Sequence, residues 1–508
     1  MSFFANNAAA LAVGLVVSVM GWLFGGTRGD LLVPVVPWLL ALMIEVLVCF
    51  PQRHVYENTY DARARMWSEL KKDPLTWVVV GFLGLLLIPF VNNGLCANCD
   101  AALIAQGVSA DPPVKFLPFC VNRREHLNVF LWFLTAMPAL LIVRHSLLAR
   151  GQRLVLELAV WNGAALALLG FAQHGLGAVG PLWNTGSGMD FTRAGVGYGH
   201  VSFFSTFGYT NMAGDYFNLL FGLAIALWRD NCDRLRCDRS AMDISNAAAK
   251  RPHAFWKKHY FLIPAVLCFY AALNTMSRAA ILMATISATI YILHAFAAFI
   301  ARLHKKVERV RALAFGVLGI GLLVFVATLF LPDGMDAEMG TTDTAEVLNR
   351  VSGKGAYHTR VATEIWKDNK LFGCGGWGYM HFCRAKMRPG ENLQVVGGIN
   401  VHNDYLQFLA EHGAVGLGLL LSIVVVLVWP IGREWRTLAR EARFKKPRDL
   451  PAKPVQIFVL PSGAFCLLVA LSCTFVHAFG DCPLRSPAIL TLFFVTLAAL
   501  PGFMPKKG

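Results

Sequence analysis

Charge is what this 508-residue chain has least of. Asp, Glu, Lys and Arg make up 15% of it, against about 25% in a soluble domain. With 56% hydrophobic residues and a mean hydropathy of +0.52, that deficit excludes an ordinary soluble enzyme. Other absences narrow the field. No glycine-rich loop follows a strand pattern, so a nucleotide-phosphate cradle is not expected. No basic stretch carries interleaved aromatics or a reader motif, so the excess of 46 Lys and Arg over 31 Asp and Glu does not signal nucleic-acid binding. There is no internal repeat and no low-complexity tract. The Cys96–Cys99 CxxC has no second pair nearby and falls short of four zinc ligands. The first apolar run has no basic leader and no small-residue cleavage site, so no cleavable signal peptide is expected.

What is present is a series of apolar runs of about 20 residues, the length that crosses a bilayer as a helix. They fall near 8–24, 31–50, 74–93, 126–143, 154–178, 203–228, 259–275, 279–300, 312–331, 413–430, 456–477 and 485–501. The fold expected is an all-α polytopic membrane protein with about 12 transmembrane helices. Nine spans fill 1–332, a large loop covers 333–412, and three spans fill 413–508. With a cytoplasmic N-terminus, the inside segments hold 31 of the 46 Lys and Arg, leaving 15 outside. Positive-inside asymmetry therefore orients both termini inward, and the net charge also favours anionic membrane lipids. Cys96, Cys99, Cys120, Cys374, Cys383 and Cys482 then lie outside, where disulfides are expected rather than a metal. Cys232 and Cys237 lie inside as free thiols. Residues 51–73 read as an amphipathic surface helix. The loop 333–412 is too long and too rich in aromatics, Gly and Arg for a connector, and reads as a lid or active-site element.

Three constellations bear chemistry. The first is Gly397–Gly418, GGINVHNDYLQFLAEHGAVGLG. It reads as a short helix with Asn400 as N-cap, His402 and Asn403 in its first turn, and Gly413 ending it. A helix N-terminus disfavours a charged imidazolium, leaving a neutral ring able to accept a proton. The bland alternative is an interfacial His that caps the helix. The second constellation is arginine on the outer face. Arg278 in NTMSRAAILMA and Arg360 in HTRVATEIWKDNKLFGCGGWG run against the topological trend, and arginine grips phosphate through paired charge-assisted bonds. Snorkelling to headgroups is the alternative for Arg278, and an ion pair with Glu364 for Arg360. Arg350, Arg384 and Arg388 are weaker phosphate candidates whose bland role is a basic rim. The third is polar residues at the membrane: Tyr209, Asn211 and Asp215 in STFGYTNMAGDYFNLL, and Asn274. A carboxylate there needs a cavity or a partner, and interhelical hydrogen bonding is the alternative. For Glu45, Glu157, His174 and His477 that alternative is preferred.

Over roughly 205–430 the chain resembles the O-antigen ligase and polymerase superfamily of bacterial envelope glycosyltransferases. FGYTNMAGDYF, MSRAA, the Arg360–Trp366 stretch with LFGCGGWGYM, and VHNDYLQFLAEHGAVG carry the likeness. The last fits the ligase signature of His, then Asn, Ser or Gln, nine residues, Gly, two residues, Gly. The resemblance implies a GT-C-type membrane transferase that needs no metal or other cofactor. It would move a glycan from undecaprenyl pyrophosphate to a hydroxyl of lipid A–core oligosaccharide on the periplasmic face of the inner membrane, inverting the anomeric centre. It makes His402 the general base and puts Arg278 and Arg360 on the pyrophosphate. Polymerases carry an Arg, fifteen residues, Gly pattern and a His, ten residues, Gly pattern in separate loops. Here Arg360 with Gly376 and His402 with Gly413 fall in one loop, which favours a ligase. Repeat-unit polymerisation and transfer to protein hydroxyls are the close alternatives. A lipid-linked glycan transporter is the alternative of another class.

Overall fold

A computed structural model describes residues 3–54, 56–93, 111–175, 203–242, 253–300, 355–388, 400–444 and 460–504. Among them no β-strand forms, and Asn93 and Cys120 make an isolated bridge. The longer helices are α1 (Phe3–Trp22), α2 (Gly29–Cys49), α3 (Thr59–Lys72), α4 (Pro74–Leu87), α5 (Arg123–His145), α6 (Ala149–Gly175), α7 (Thr210–Met242), α8 (His253–His259), α9 (Leu262–Asn274), α10 (Arg278–Ile300), α11 (Gly355–Asp368), α12 (Gly378–Ala385), α13 (Asp404–Phe444), α14 (Ser462–His477) and α15 (Pro487–Ala499).

Five of these, α2, α5, α6, α10 and α13, are long and apolar enough to cross a membrane, and α3 with α4 would make a sixth, bent by 70° at their junction. Stretches of α1, α14 and α15 are apolar but shorter. The protein is thus a helical, multi-pass membrane protein with five to six candidate spans among its described residues. The expected span at 312–331 lies outside those residues. The expected span at 203–228 begins only at Thr210, as α7, and continues into polar sequence as far as Met242.

Local chemistry explains the α3–α4 corner. The side chain of Asn58 accepts the Asp61 N–H at 2.8 Å and caps α3. Asp61 in the first turn and Lys71 and Lys72 in the last complement the helix dipole. Ala62 and Met66 are buried on one face and the charges lie on the others, as the amphipathic reading of 51–73 requires. Asp73 ends this helix and caps the next, accepting Leu75 N–H at 2.9 Å, with Pro74 at the first helical position.

The chain forms two compact units. One comprises Leu156–Met339, Pro430–Thr474 and Ala499–Gly508. Small residues let its helices pack closely, the usual basis of helix association in lipid. A Cβ built on Gly222 of α7 would lie 2.4 Å from the Cβ of Ala470, and one on Gly214 would lie 2.4 Å from the Cβ of Ala280 and 2.8 Å from Thr275 Oγ1. Gly214 therefore seats α7 against the α9–α10 turn.

The other unit comprises Met1–Val155, Gly340–Trp429 and Phe475–Ala498. Its governing feature is a break in α13. Gly413 has φ 66° and ψ −173°, a conformation open essentially to glycine alone. The break leaves backbone groups without helical partners, and the strip Lys370–Gly375 supplies them. Cys374 N–H donates to Ala410 O at 3.1 Å and Gly375 N–H to Glu411 O at 2.7 Å. In return, Ala414 N–H donates to Lys370 O at 2.9 Å and Val415 N–H to Leu371 O at 3.0 Å. There is no room for side chains at the crossing: a Cβ on Gly413 would lie 2.2 Å from Leu371 O, and one on Gly373, at φ 69°, 2.3 Å from Glu411 C.

Gly413→Ala should therefore lower stability by about 3 kcal/mol or more, read as a fall in the unfolding midpoint in detergent. Gly418→Ala, in the same helix with nothing within 4 Å of the added Cβ, should be neutral or stabilise by up to ~1 kcal/mol. An unchanged midpoint for Gly413→Ala would sink the account.

Candidate active site

The segment read as one long loop contains α11, α12 and the start of α13. It has its own core of Tyr357, Val361, Ile365, Cys374, Tyr379 and Val401, which also takes in Phe119 and Val121 from the earlier segment 111–122. Apart from Cys120, nothing in the sequence of that earlier segment marks it as part of the site. Two hydrogen bonds fix the crossing from behind: Gly376 N–H donates to His126 Nδ1 at 3.0 Å, while His126 Nε2 lies 2.9 Å from Leu86 O. The His126 ring therefore donates through Nε2 and accepts at Nδ1.

His402 stands before α13 rather than inside it. The helix starts at Asp404, and Asn403, not Asn400, is its cap: the Asn403 side chain accepts Leu406 N–H at 3.0 Å. Asn400 sits further out, near Gln407 Nε2 at 3.4 Å. The displacement has a physical cause. Val401 N–H donates to Gln407 Oε1 at 2.9 Å and Asp404 N–H to Ala478 O at 2.9 Å. These bonds pin the backbone on both sides of His402 and leave it left-handed, at φ 55°. Its ring is thereby lifted off the helix, with 44% of the side chain exposed.

There the ring meets a residue that the sequence did not single out. His402 Nδ1 lies 3.0 Å from Asp481 Oδ1, and Asp481 is only 5% exposed. Asp481 is held by its own backbone, its N–H donating to His477 O at 3.0 Å, and its Oδ1 also accepts Cys482 N–H at 2.8 Å. In the tautomer that donates Nδ1–H to Asp481, Nε2 keeps its lone pair and is the ring's proton acceptor. His358 stands beside the pair, its ring centroid 6.3 Å from that of His402 and its Nδ1 2.7 Å from the Tyr379 hydroxyl. Burial pushes the Tyr379 phenol up, so it stays a neutral hydroxyl. Below them Glu411 and Arg485 form a buried two-bond ion pair at 3.1 and 3.3 Å, and Arg485 lies 4.2 Å over the Trp377 ring.

The arginines separate. Arg360 donates to both oxygens of Glu364, at 3.1 and 3.2 Å, and lies 5.4 Å over the Tyr357 ring. The ion pair one helical turn away is therefore real, and an arriving phosphate would have to compete with it. Arg388 shares Glu364 at 3.1 Å and is 63% exposed. Arg384 is exposed, and Arg350 lies outside the described residues. Arg278 belongs to the other unit, where it opens α10 after Ser277, whose Oγ accepts Ala280 N–H at 3.4 Å. Tyr209, Asn211 and Asp215 belong to that unit too. Asn211 donates to the Tyr209 hydroxyl at 2.8 Å, and Asp215 is buried beside Gly214, which touches the turn before Arg278.

The cysteines correct an expectation. Cys120, Cys374, Cys383 and Cys482 are free and buried rather than disulfide-bonded. Cys374 and Cys383 pack into the core that holds Tyr357 and Tyr379, while Cys482 Sγ donates to Asp481 Oδ1 at 3.4 Å. Cys120 donates to Pro89 O at 3.3 Å and Cys383 to Met380 O at 3.2 Å. Burial pushes the Cys120 thiol up to about 11 and those of Cys374 and Cys482 well above their ordinary value. Cys232 forms no disulfide, in line with the expected thiol. Cys96 and Cys99 lie outside the described residues. His402, Asp481 and Cys482 offer ligand atoms within 4.8 Å of one another. They fit a metal poorly: the thiol resists ionisation, Asp481 is already engaged, and three donors fall short of a closed tetrahedral set.

Residues 263–438 match the family model of O-antigen ligase. That stretch contains Arg278, Arg360, His402 and Asn403 and stops short of Asp481. No curated protein matches the chain. The match supports a glycosyltransferase-like role of ligase or polymerase type in glycan assembly, with a lipid-linked glycan donor and a glycan acceptor.

The Glu364 cluster makes a prediction. Burial opposes ionisation of Glu364, but the Arg360 hydrogen bond and the charges of Arg360 and Arg388 outweigh it and hold the carboxyl below its ordinary value of 4.5. Such a group adds stability above its unfolded pKa and loses it as pH falls through the lower, folded value. Glu364→Gln should melt below wild type at pH 7, and the two should converge as pH falls below about 4. Coincident melting at pH 7 would refute the cluster's contribution.

Proposed function

We propose that this protein is an inner-membrane glycosyltransferase of the O-antigen ligase type, with about twelve spans and a GT-C architecture. It takes a glycan from undecaprenyl pyrophosphate and joins it to a hydroxyl of lipid A–core oligosaccharide on the periplasmic face. The observation that carries the reading is the His402–Asp481 pair at 3.0 Å, whose His402 stands just before α13 in the segment that matches the ligase family. Aligned with the positive-inside charge, that end of α13 faces the periplasm.

The chemistry follows from the geometry. Asp481 holds the imidazole in the tautomer whose Nε2 accepts the acceptor's hydroxyl proton. The freed oxygen attacks the anomeric carbon from the face opposite the pyrophosphate. The carbon–oxygen bond to pyrophosphate breaks, the pyrophosphate leaves with the bonding electrons, and the configuration inverts. Arg360 stabilises the leaving charge, exchanging Glu364 for phosphate oxygens. Arg384 and Arg388 form a basic rim that draws the donor in. Asn403 sets the angle of His402 by capping α13. Because pyrophosphate is already a good leaving group, positioning and cationic stabilisation suffice without a metal.

A second reading, repeat-unit polymerase, shares donor and residues and differs in acceptor. The placement of Arg360 and His402 in one segment favours the ligase. The test is transfer in vitro, with purified protein, undecaprenyl-pyrophosphate glycan and lipid A–core. Wild type should glycosylate lipid A–core in the presence of a chelator. His402→Ala should lose activity by about 10²–10⁴-fold. Asp481→Asn should lose about 10²-fold or more in kcat by favouring the wrong tautomer, while Cys482→Ser stays within a few-fold. Glycan growth on the carrier itself would make the protein a polymerase. Glycosylation of added protein would make it a protein transferase. Translocation that survives His402→Ala, with no product formed, would make it a transporter.

A further inference from the structure

The unit built from Leu156–Met339, Pro430–Thr474 and Ala499–Gly508 holds buried polar groups that the transfer reaction does not use. Its helices α7 and α10 run side by side. Gly214 meets Ala280, Ser287 Oγ lies 3.4 Å from Asn218 Oδ1, and Gly222 leaves room for the Tyr291 hydroxyl. Arg229 of α7 and His294 of α10 both stand about 22 Å beyond the Gly214 crossing. A third helix, α14, starts at the same level. Ser462 in its first turn accepts a hydrogen bond from Arg229 Nη2 at 3.3 Å. A Cβ on Gly463 would lie 3.0 Å from Asp230 Cβ and 3.2 Å from Ala226 O, so that turn is pressed onto α7. Tyr291 donates to Cys466 O at 3.2 Å and ties α10 to α14. In the positive-inside orientation this is the cytoplasmic end of the three helices.

What meets there lacks a counter-charge. Arg229 is only 6% exposed. Among the described residues its guanidinium reaches the Ser462 hydroxyl through Nη2 and lies 5.7 Å over the Trp228 ring, while Nε has no acceptor. Asp230 is taken by Arg234 at 2.7 Å, and neither it nor Asp233 pairs with Arg229. His294 is 3% exposed and stacks on Phe465 at 4.2 Å, and neither of its ring nitrogens has a hydrogen-bond partner. The first-turn amides of α14 add the positive end of a helix dipole. Buried charges are normally paired and buried polar atoms normally satisfied. Here an arginine, a helix N-terminus and an imidazole converge, and an anion with several acceptor oxygens would satisfy all three.

We propose that Arg229, His294 and the first turn of α14 hold a phosphate group, the chemistry shared by phospholipid headgroups and free phosphate. Arginine grips phosphate through paired charge-assisted bonds, and helix N-termini bind it through their amides. Two observations favour a phospholipid of the cytoplasmic leaflet as the source. The first is depth. Arg229 lies about 28 Å along α7 from Thr210, close to the thickness of a bilayer's hydrocarbon core, so its guanidinium stands at headgroup level. The second is the surface beside it. Leu282, Ile286 and Leu293 are exposed, and steps of four and seven residues put them on one face of α10. That face gives an acyl chain a track ending at the residue before His294. Such a lipid is not a substrate: it joins α7, α10 and α14 and supplies the missing negative charge.

The test takes purified full-length protein, delipidated in a neutral detergent, and follows binding by native mass spectrometry and by the unfolding midpoint. Three probes are titrated: dioleoylphosphatidylglycerol, dioleoylglycerol, which lacks the phosphate, and inorganic phosphate. Phosphatidylglycerol should bind and raise the midpoint, and dioleoylglycerol should do neither. Arg229→Met should weaken phosphatidylglycerol binding by about tenfold or more. His294→Phe, which keeps the stacking on Phe465, should weaken it severalfold, and it serves alone if Arg229→Met does not fold. Arg436→Met removes an exposed arginine of the same unit and should leave binding unchanged, which separates a site from general attraction to anionic lipid. A response to inorganic phosphate alone that Arg229→Met abolishes would keep the phosphate site and make its source soluble. Equal binding of dioleoylglycerol, no response to any probe, or binding untouched by both Arg229→Met and His294→Phe would overturn the proposal, as would equal losses in Arg229→Met and Arg436→Met.

Discussion

The break in α13 at Gly413 is the constraint on which the candidate site depends. A helix cannot be interrupted inside a protein unless its orphaned amides and carbonyls find other partners. Here the strip Lys370–Gly375 supplies them in both directions, two bonds given and two received. The strip must approach without side chains on either face of the crossing, which explains glycine at both 373 and 413. The interlock ties the start of α13 to the segment bearing α11 and α12. The helix that presents His402 and the segment that carries Arg360 thus share one rigid joint.

The joint also shapes the chemistry. It ends the polar stretch of α13 and starts the apolar one, so a single helix carries a polar head above an apolar stripe. The head is rich in satisfied polar groups: Gln407 bridges the Val401 amide and Glu411, Glu411 holds Arg485, and Asp404 accepts Leu484 N–H at 2.8 Å. Polar groups this deep are tolerated because each meets a partner of matching character. His402 alone is turned outward, through a left-handed residue held from both sides.

Legibility differed from residue to residue. Gly413 as a helix end, Asn403 near a helix start, the amphipathic α3 and the multi-pass helical class were all readable, because capping, glycine geometry and hydrophobic periodicity act over a few residues. The cap was misplaced by three residues because the bonds that set it run to Gln407 and to Ala478, one of them far along the chain. The expected disulfides failed for the same kind of reason. Sequence placed Cys120, Cys374, Cys383 and Cys482 on one side of a membrane, but each is buried without a disulfide, and Cys374 and Cys383, packed among apolar neighbours, behave as small hydrophobes. The Arg360–Glu364 pair was foreseen as one of two possibilities, being a local i,i+4 contact.

The sequence by itself determined the multi-pass helical class of protein, the glycine at the helix break and the His–Asn pair before it, because each follows from local propensity or from the cost of placing charge in lipid. Only the tertiary structure decided which carboxylate faces His402, since Asp481 lies 79 positions away in a stretch with no distinguishing pattern. It alone supplied the partners for the broken helix, buried the thiols without disulfides, and set Arg229 against Ser462. Those outcomes rest on long-range hydrogen bonds and close packing, which bring together residues whose neighbours in sequence give no hint of the meeting.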